Sequence, residues 1–198
     1  MNKKKVLAVL AVVLCLSVLG DVTAAYFTAK DTAHNVITTG NVDIRIVEQQ
    51  KVDDKLVPYP DGPIQGVMPG AEVSKIVTVR NTGSGDAWVR VHLDRSFTLS
   101  PDAPEKLPAG ADPMLMELDV NTAAWEQDGE WYYYRTPLAV GAGTEPLFES
   151  VTFAPEMGNA YQGATADIVV SAQAVQVKNN PKPQGGTYAD IPGWPTVK

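Results

Sequence analysis

Apolar and polar residues alternate with a period of two along most of this chain, and this pattern restricts the fold more than any other feature. In residues 41–48, apolar side chains share one face of an extended backbone and charged ones share the other: Val42, Ile44 and Ile46 against Asp43 and Arg45. After residue 24, no segment sustains the helical apolar spacing of i, i+3, i+4 and i+7. The alternation therefore predicts a nearly all-β protein.

Turn residues divide the alternating stretches into about eight strands, which suits a two-sheet architecture. The Asp128-Gly129 step between two tryptophan-bearing arms indicates a hairpin. Trp88, Arg90 and His92 alternate with apolar residues, which leaves open that both faces of their strand are covered. We predict an all-β, jelly-roll or Greek-key β-sandwich in residues 39–178. Its further predicted strands are residues 72–80, 87–93, 115–120, 147–153 and 164–177.

The first 24 residues have the features of an export signal. Three lysines precede an apolar run of about 14 residues, followed by Thr23-Ala24-Ala25. The run is shorter than the roughly 20 residues that a membrane-spanning helix needs. We predict that residues 1–24 are a signal peptide removed between Ala24 and Ala25 by a signal peptidase. The protein would then be secreted, without a stable membrane anchor.

Charge and composition exclude several partners. The formal net charge of −7 argues against binding nucleic acid or an anionic lipid surface. Cys15, the single cysteine, lies in the predicted signal peptide, so the mature chain would have no disulfide. Residues 179–198 hold four prolines and three glycines without periodicity. We predict that this segment is a flexible C-terminal tail.

Catalytic and metal-binding motifs are missing from the sequence. After residue 24 there are two histidines, His34 and His92, and they lack the spacing of a zinc-binding helix. No Gly-x-Ser-x-Gly elbow or phosphate-binding loop is present. We therefore expect no catalytic residue, no metal site and no cofactor, and predict that the protein is not an enzyme.

Aromatic residues cluster near the predicted hairpin. Trp125, Trp131 and Tyr133 are candidate surface contacts, either as a platform for stacking sugars or as a protein interface. Alternation places Trp131 and Tyr133 on one face and Tyr132 and Tyr134 on the other, so we expect about half of this aromatic cluster to belong to the core.

Five short motifs stand in a characteristic order and spacing: residues 23–28 (TAAYFT), 39–44 (TGNVDI), 68–70 (MPG), 81–84 (NTGS) and 161–163 (YQG). Together they resemble the TasA/camelysin family of exported Gram-positive proteins, which a SipW-type signal peptidase releases. The likeness covers most of residues 1–177 but does not extend to the tail.

The resemblance implies a jelly-roll domain and assembly into extracellular biofilm fibres, in which the N-terminal segment of one subunit completes the sheet of the next. Residues 25–38 are the candidate donor strand here. Its candidate anchors are Tyr26, Phe27, Val36 and Ile37. The segment could equally pair within its own subunit. The expected partner is another copy or a related matrix subunit, in the extracellular matrix or at the cell surface.

Two other functions stay open. Some members of the family are labelled metallo-endopeptidases, although this sequence lacks zinc-ligand spacing. A surface adhesin that binds glycans through the aromatic cluster is the other alternative.

Overall fold

A computed structural model describes residues 35–38, 42–107 and 110–195, all of which belong to one compact unit, residues 33–198. Its strands are β1 (Asn35–Thr38), β2 (Ile44–Val52), β3 (Lys55–Pro58), β4 (Glu72–Ser74), β5 (Ile76–Asn81), β6 (Ala87–Thr98), β7 (Met116–Leu118), β8 (Trp125–Asp128), β9 (Trp131–Tyr134), β10 (Ser150–Phe153) and β11 (Thr165–Gln176). Short 3₁₀ turns occupy Pro113–Leu115, Asn159–Tyr161 and Val177–Asn179.

The first layer is a five-stranded sheet with the order β1-β11-β6-β9-β8. β6 and β11 form its centre and pair antiparallel along their whole length, from Ala87 with Gln176 to Thr98 with Thr165. β1 lies at one edge and pairs parallel with β11, whereas the other pairs in this sheet are antiparallel.

The second layer combines two three-stranded sheets, β3-β2-β5 and β4-β10-β7. The segment that precedes β10 joins them, because its backbone bonds to β5 and to the residue before β5. The carbonyls of Phe148 and Glu149 accept from the amides of Val77 and Lys75, at 3.1 and 3.0 Å. One continuous hydrogen-bonded surface therefore runs from β3 to β7.

Apolar side chains from the two layers meet in one core. Val89, Val91 and Ile168 from the first layer cluster with Ile44, Val79 and others from the second, all buried. The alternation of the strands supplies this inner surface, since every second residue of a strand faces the same side. The prediction of an all-β sandwich is confirmed.

Two tight hairpins fix the registers of their strands. In the β2–β3 hairpin, Asp53 and Asp54 both have positive φ, 48° and 61°, as a type I′ turn requires. The β8–β9 hairpin pairs Asp128 with Trp131 around Gly129, whose φ is 59°. The predicted hairpin is confirmed, with Gly129 at the first central position of its turn.

The predicted strand 72–80 is divided at Lys75. The side chain of this residue is buried, and its Nζ lies 2.8 Å from Glu48 Oε2 and 3.9 Å from the ring centroid of Tyr59. Alternation cannot reveal the burial of this lysine, because its charged partner lies 27 positions earlier in the chain.

The predicted flexible tail differs from what the structure contains. Residues 180–195 pack on the outer face of the five-stranded sheet, where Ile191 is buried against Trp88 and Val175. Trp88 Nε1 also donates to the carbonyl of Asn180 at 2.9 Å. Proline and glycine content gave a wrong expectation here, because aromatic side chains between the prolines find partners on the sheet.

Candidate functional site

The edge of β11 is the place where the N-terminal segment meets the sandwich. β1 pairs with it in parallel register, from Asn35 opposite Ser171 to Thr38 opposite Ala174. β1 has only four residues. It is the one parallel pairing in the described sheets, since all the others are antiparallel.

The same edge of β11 is only partly covered. Towards the start of the strand, Ile64 forms an isolated bridge with Ala166, with N–H···O distances of 2.7 and 3.0 Å. Between Ala166 and Ser171, no described residue pairs with β11 on this side. Within residues 167–170, Ile168 and Val170 therefore present backbone groups that an added strand could use, because their alternate neighbours direct theirs to β6.

The core-facing side of β11 is made of small or branched residues, none more than 2% exposed: Ala166, Ile168, Val170, Ala172 and Ala174. The core therefore extends to β11, the strand with which β1 pairs.

The predicted anchor residues fall in different parts of the chain. Val36 and Ile37 lie in β1, in register with Ala172 and Gln173. Tyr26 and Phe27 lie outside the described residues, as do Ala24 and Ala25 of the predicted cleavage site. The pairing with β11 occurs within one chain, which is one of the two arrangements that the sequence left open.

The three candidate aromatic contacts do not form one exposed platform. Trp125 is buried in the core, where its ring packs 5.1 Å from that of Tyr134. Trp131 and Tyr133 share the opposite face of the sheet, as predicted, but Tyr133 is only 3% exposed because Trp194 covers it. The sequence pattern could not reveal that Tyr133 is covered, because the covering residue, Trp194, lies in the distant tail.

Arg90 is the central polar residue of that outer face. Its guanidinium lies 4.1 Å from the ring centroid of Trp131 and 4.7 Å from that of Trp194. Both Nε and Nη2 donate to Gln173 Oε1, at 2.9 and 2.6 Å. The alternation of Trp88 and Arg90 on a strand was the signal that this face is covered.

The phenol of Tyr59 lies beside the buried ion pair Lys75–Glu48. Burial raises the pKa of the Tyr59 phenol above its ordinary value of 10.0, and the neighbouring Glu48 carboxylate adds to the shift. The ring of this phenol lies over the ammonium group of Lys75, and the resulting cation–π contact stabilises the packing.

An open polar groove of about 610 Å³ lies between the β2–β3 hairpin and β4 and β10, and acidic residues predominate along it. Its Asp119 already accepts the backbone amides of Glu149 and Ser150, at 2.9 and 2.8 Å. That carboxylate therefore holds two segments of chain together.

Metal-donor geometry is absent from the described part of the chain. No three His, Cys, Asp or Glu side chains come together there in a way that could hold a metal ion. His92 lies on β6 with its ring centroid 5.4 Å from that of Trp131, and His34 falls outside the described residues.

Within residues 35–38, 42–107 and 110–195, no helix is long and apolar enough to span a membrane.

Comparison with known proteins identifies one family. A family model described as camelysin metallo-endopeptidase matches residues 1–108, which include β1 to β6. No curated protein and no solved structure gives a match. Because the matched region exceeds half of the 198 residues, the chain belongs to the camelysin metallo-endopeptidase family.

Proposed function

We propose that the protein is a secreted structural component of the cell surface or extracellular matrix, which assembles into fibres when its N-terminal segment pairs with the β11 edge of another copy. The observation that carries this proposal is the position of β1: a four-residue parallel strand on an edge that is otherwise partly open.

Strand pairing at this edge is chemically the same within one chain and between two. Both arrangements offer the same backbone hydrogen bonds to β11. The equilibrium between pairing within one chain and pairing between two chains therefore depends on protein concentration and on how the segment before β1 is placed. A copy that donates its own segment and receives another's makes a head-to-tail contact. Where the rotation between successive copies does not close a ring, such contacts produce filaments.

The partly open edge at residues 167–170 supports the same proposal. An unpaired strand edge promotes association with another chain, and fibre proteins use that tendency. A longer donor that covered 167–170 as well as 171–174 would gain hydrogen bonds that the four residues of β1 do not make.

The first test compares two purified forms by negative-stain electron microscopy, one beginning at Ala25 and one at Thr39. The second form lacks β1 and everything before it, and it keeps the rest of the sandwich. We expect filaments from the longer form alone, at micromolar concentration and low salt. Monodisperse particles from both forms would disprove assembly through this segment.

Disulfide trapping separates exchange from self-pairing. A chain that begins at Ala25 has no cysteine, so cysteines can be placed at Asn35 and Ser171, which are in register. Paired strand positions satisfy the Cα separation that a disulfide needs. A mixture of the two single variants, N35C and S171C, should form a covalent heterodimer on oxidation.

In the matched control, the cysteine is placed at Ser96 instead of Ser171. Ser96 is an exposed serine on β6 that does not pair with β1. N35C mixed with S96C should form no covalent heterodimer. If the double variant N35C/S171C yields only internally closed monomers and the mixture yields no heterodimer, the segment pairs within its own chain and the fibre proposal is wrong.

A metallo-endopeptidase is the second candidate, and the description of the matching family favours it. The described residues do not fit the metal centre that this name implies, because they bring no three suitable donors together. We therefore derive no catalytic step. Casein hydrolysis that copurifies with the protein through successive columns and disappears with a chelator would favour the enzyme over the structural protein.

A further inference from the structure

Residues 180–195, here called the strap, occupy a groove on the outer face of the five-stranded sheet. The strap does not add a strand to the sheet and is held by side-chain contacts and single hydrogen bonds. The strap groove is lined by Trp88, Arg90, Trp131, Tyr133, Gln173 and Val175.

The first anchor of the strap is apolar. Ile191 is 3% exposed and packs on Trp88 and Val175, and the ring of Tyr188 meets that of Trp88 edge-on at 6.0 Å. Tyr188 also donates its hydroxyl to the carbonyl of Arg135 at 2.6 Å. This cluster is separate from the main core.

The second anchor is the guanidinium of Arg90. The rings of Trp131 and Trp194 both lie within cation–π distance of it, and its Nη2 donates to the carbonyl of Pro195 at 2.9 Å. The strap thus supplies one aromatic ring and one acceptor to this buried cation.

Arg90 is 8% exposed, and none of the ion pairs among the described residues involves it. A buried cation without a carboxylate is costly unless rings and hydrogen-bond acceptors compensate it. The strap provides part of that compensation. The groove is therefore more stable when it is filled by a segment that carries the same groups than when it is empty.

Residues 181–187, which connect β11 to the anchors of the strap, are weakly attached to the sheet. The polar contacts of residues 181–187 stay within the strap: Gly186 N donates to Pro183 O, and Thr187 bonds to Asp190. Fully extended, these seven residues would span about 24 Å, so the strap's anchors can move away from their own groove without disturbing β11.

We propose that the strap groove is a peptide-binding site and that its occupant is exchangeable, so that it takes the Tyr188–Pro195 segment of a second copy. The ligand is a peptide that turns at Tyr188–Ile191 and again at Gly193, and presents an isoleucine, a tryptophan and a free carbonyl in this order. The site is distinct from the β11 edge, and the proposal does not depend on strand donation.

The first experiment supplies the segment as a synthetic peptide. The probe is a fluorescein-labelled peptide of residues 187–198, added to a chain from Ala25 that carries I191A/W194A and therefore cannot fill its own groove. Fluorescence anisotropy should show saturable 1:1 binding. The unmodified chain should bind at least tenfold more weakly, because its tethered strap competes at a millimolar effective concentration.

Three controls make the result specific. A peptide with the same I191A/W194A changes should not bind, and adding R90L to the receiving chain should abolish binding. R80L, which removes an exposed arginine of the other layer, should leave it unchanged. Circular dichroism confirms that each variant is folded. Absence of saturable binding, or equal binding of both peptides, would overturn the site.

The second experiment tests a second copy as occupant. The I191A/W194A chain has an available groove and the R90L chain has an available strap, so a 1:1 mixture should show a heterodimer by native mass spectrometry. Each variant alone should not dimerise through this groove, whereas association through residues 25–38 would appear in each alone. Peptide binding without a heterodimer at about 100 µM would overturn exchange between copies.

Discussion

Replacing Lys75 by methionine removes the cationic partner of a buried carboxylate while keeping most of the aliphatic stem. Lys75 is 4% exposed, and its Nζ lies 2.8 Å from Glu48 Oε2. The second oxygen, Glu48 Oε1, is buried and has no hydrogen-bond partner among the described residues. In K75M, Glu48 would therefore face the interior without any partner for its charge.

The expected loss follows from this burial. Removing one partner of a buried ion pair costs about 3–5 kcal/mol, because the remaining charge stays desolvated. For a domain of this size, each kcal/mol lowers the melting temperature by about 2–4 °C, so K75M should melt about 6–20 °C lower. Replacing both residues, as in E48L/K75M, should restore stability to within about 1 kcal/mol of the unmodified chain.

Urea unfolding followed by circular dichroism measures these differences, with E48L completing the double-mutant cycle. The matched control is K55M, since Lys55 is exposed on β3, and its effect should stay within about 0.5 kcal/mol. A K75M chain within 1 kcal/mol of the unmodified one, or a double variant as unstable as K75M, would refute the reasoning.

Three further results are expected. N81A should destabilise the fold by about 2–4 kcal/mol in urea, because the amide group of this fully buried residue makes three hydrogen bonds; a loss below 1 kcal/mol would contradict this. W125A should cost about 3–5 kcal/mol by cavity formation in the core, whereas W131A, on the outer face, should cost clearly less in the same assay. Hydrogen bonds from Thr187 hold the pKa of the Asp190 carboxyl below its ordinary value of 3.8. The stabilisation of that turn is therefore present above pH 3.8 and is lost as the pH falls through the lowered pKa; the Thr187 amide shift in an NMR titration should have its midpoint below 3.8, and a midpoint at or above 3.8 would contradict it.

The sequence predicts strand character well where a strand is half buried. In β2 and β6 the alternation of apolar and polar residues matches the observed faces, because side-chain direction is a property of the local backbone. Strand ends were predicted less well. β6 continues to Thr98, since β11 pairs with it along its entire length, and that pairing is a long-range property.

The candidate site shows the same division. The sequence identified residues 25–38 as a segment able to pair with a sheet, but its partner strand lies more than 130 positions later in the chain. The aromatic residues near the hairpin were recognised, whereas their separation into core and outer face depends on what covers each side. Trp125 faces the core and Tyr133 faces the strap.

The sequence by itself determined the all-β class, the hairpin at Gly129 and the membership of the camelysin metallo-endopeptidase family. These depend on local periodicity, on turn residues with special backbone angles and on short motifs in order. Only the tertiary structure decided the pairing of β1 with β11, the burial of Lys75 and the seating of the strap on Arg90. Each of these joins residues far apart in the chain, and its free energy comes from burial and charge compensation that exist only after folding.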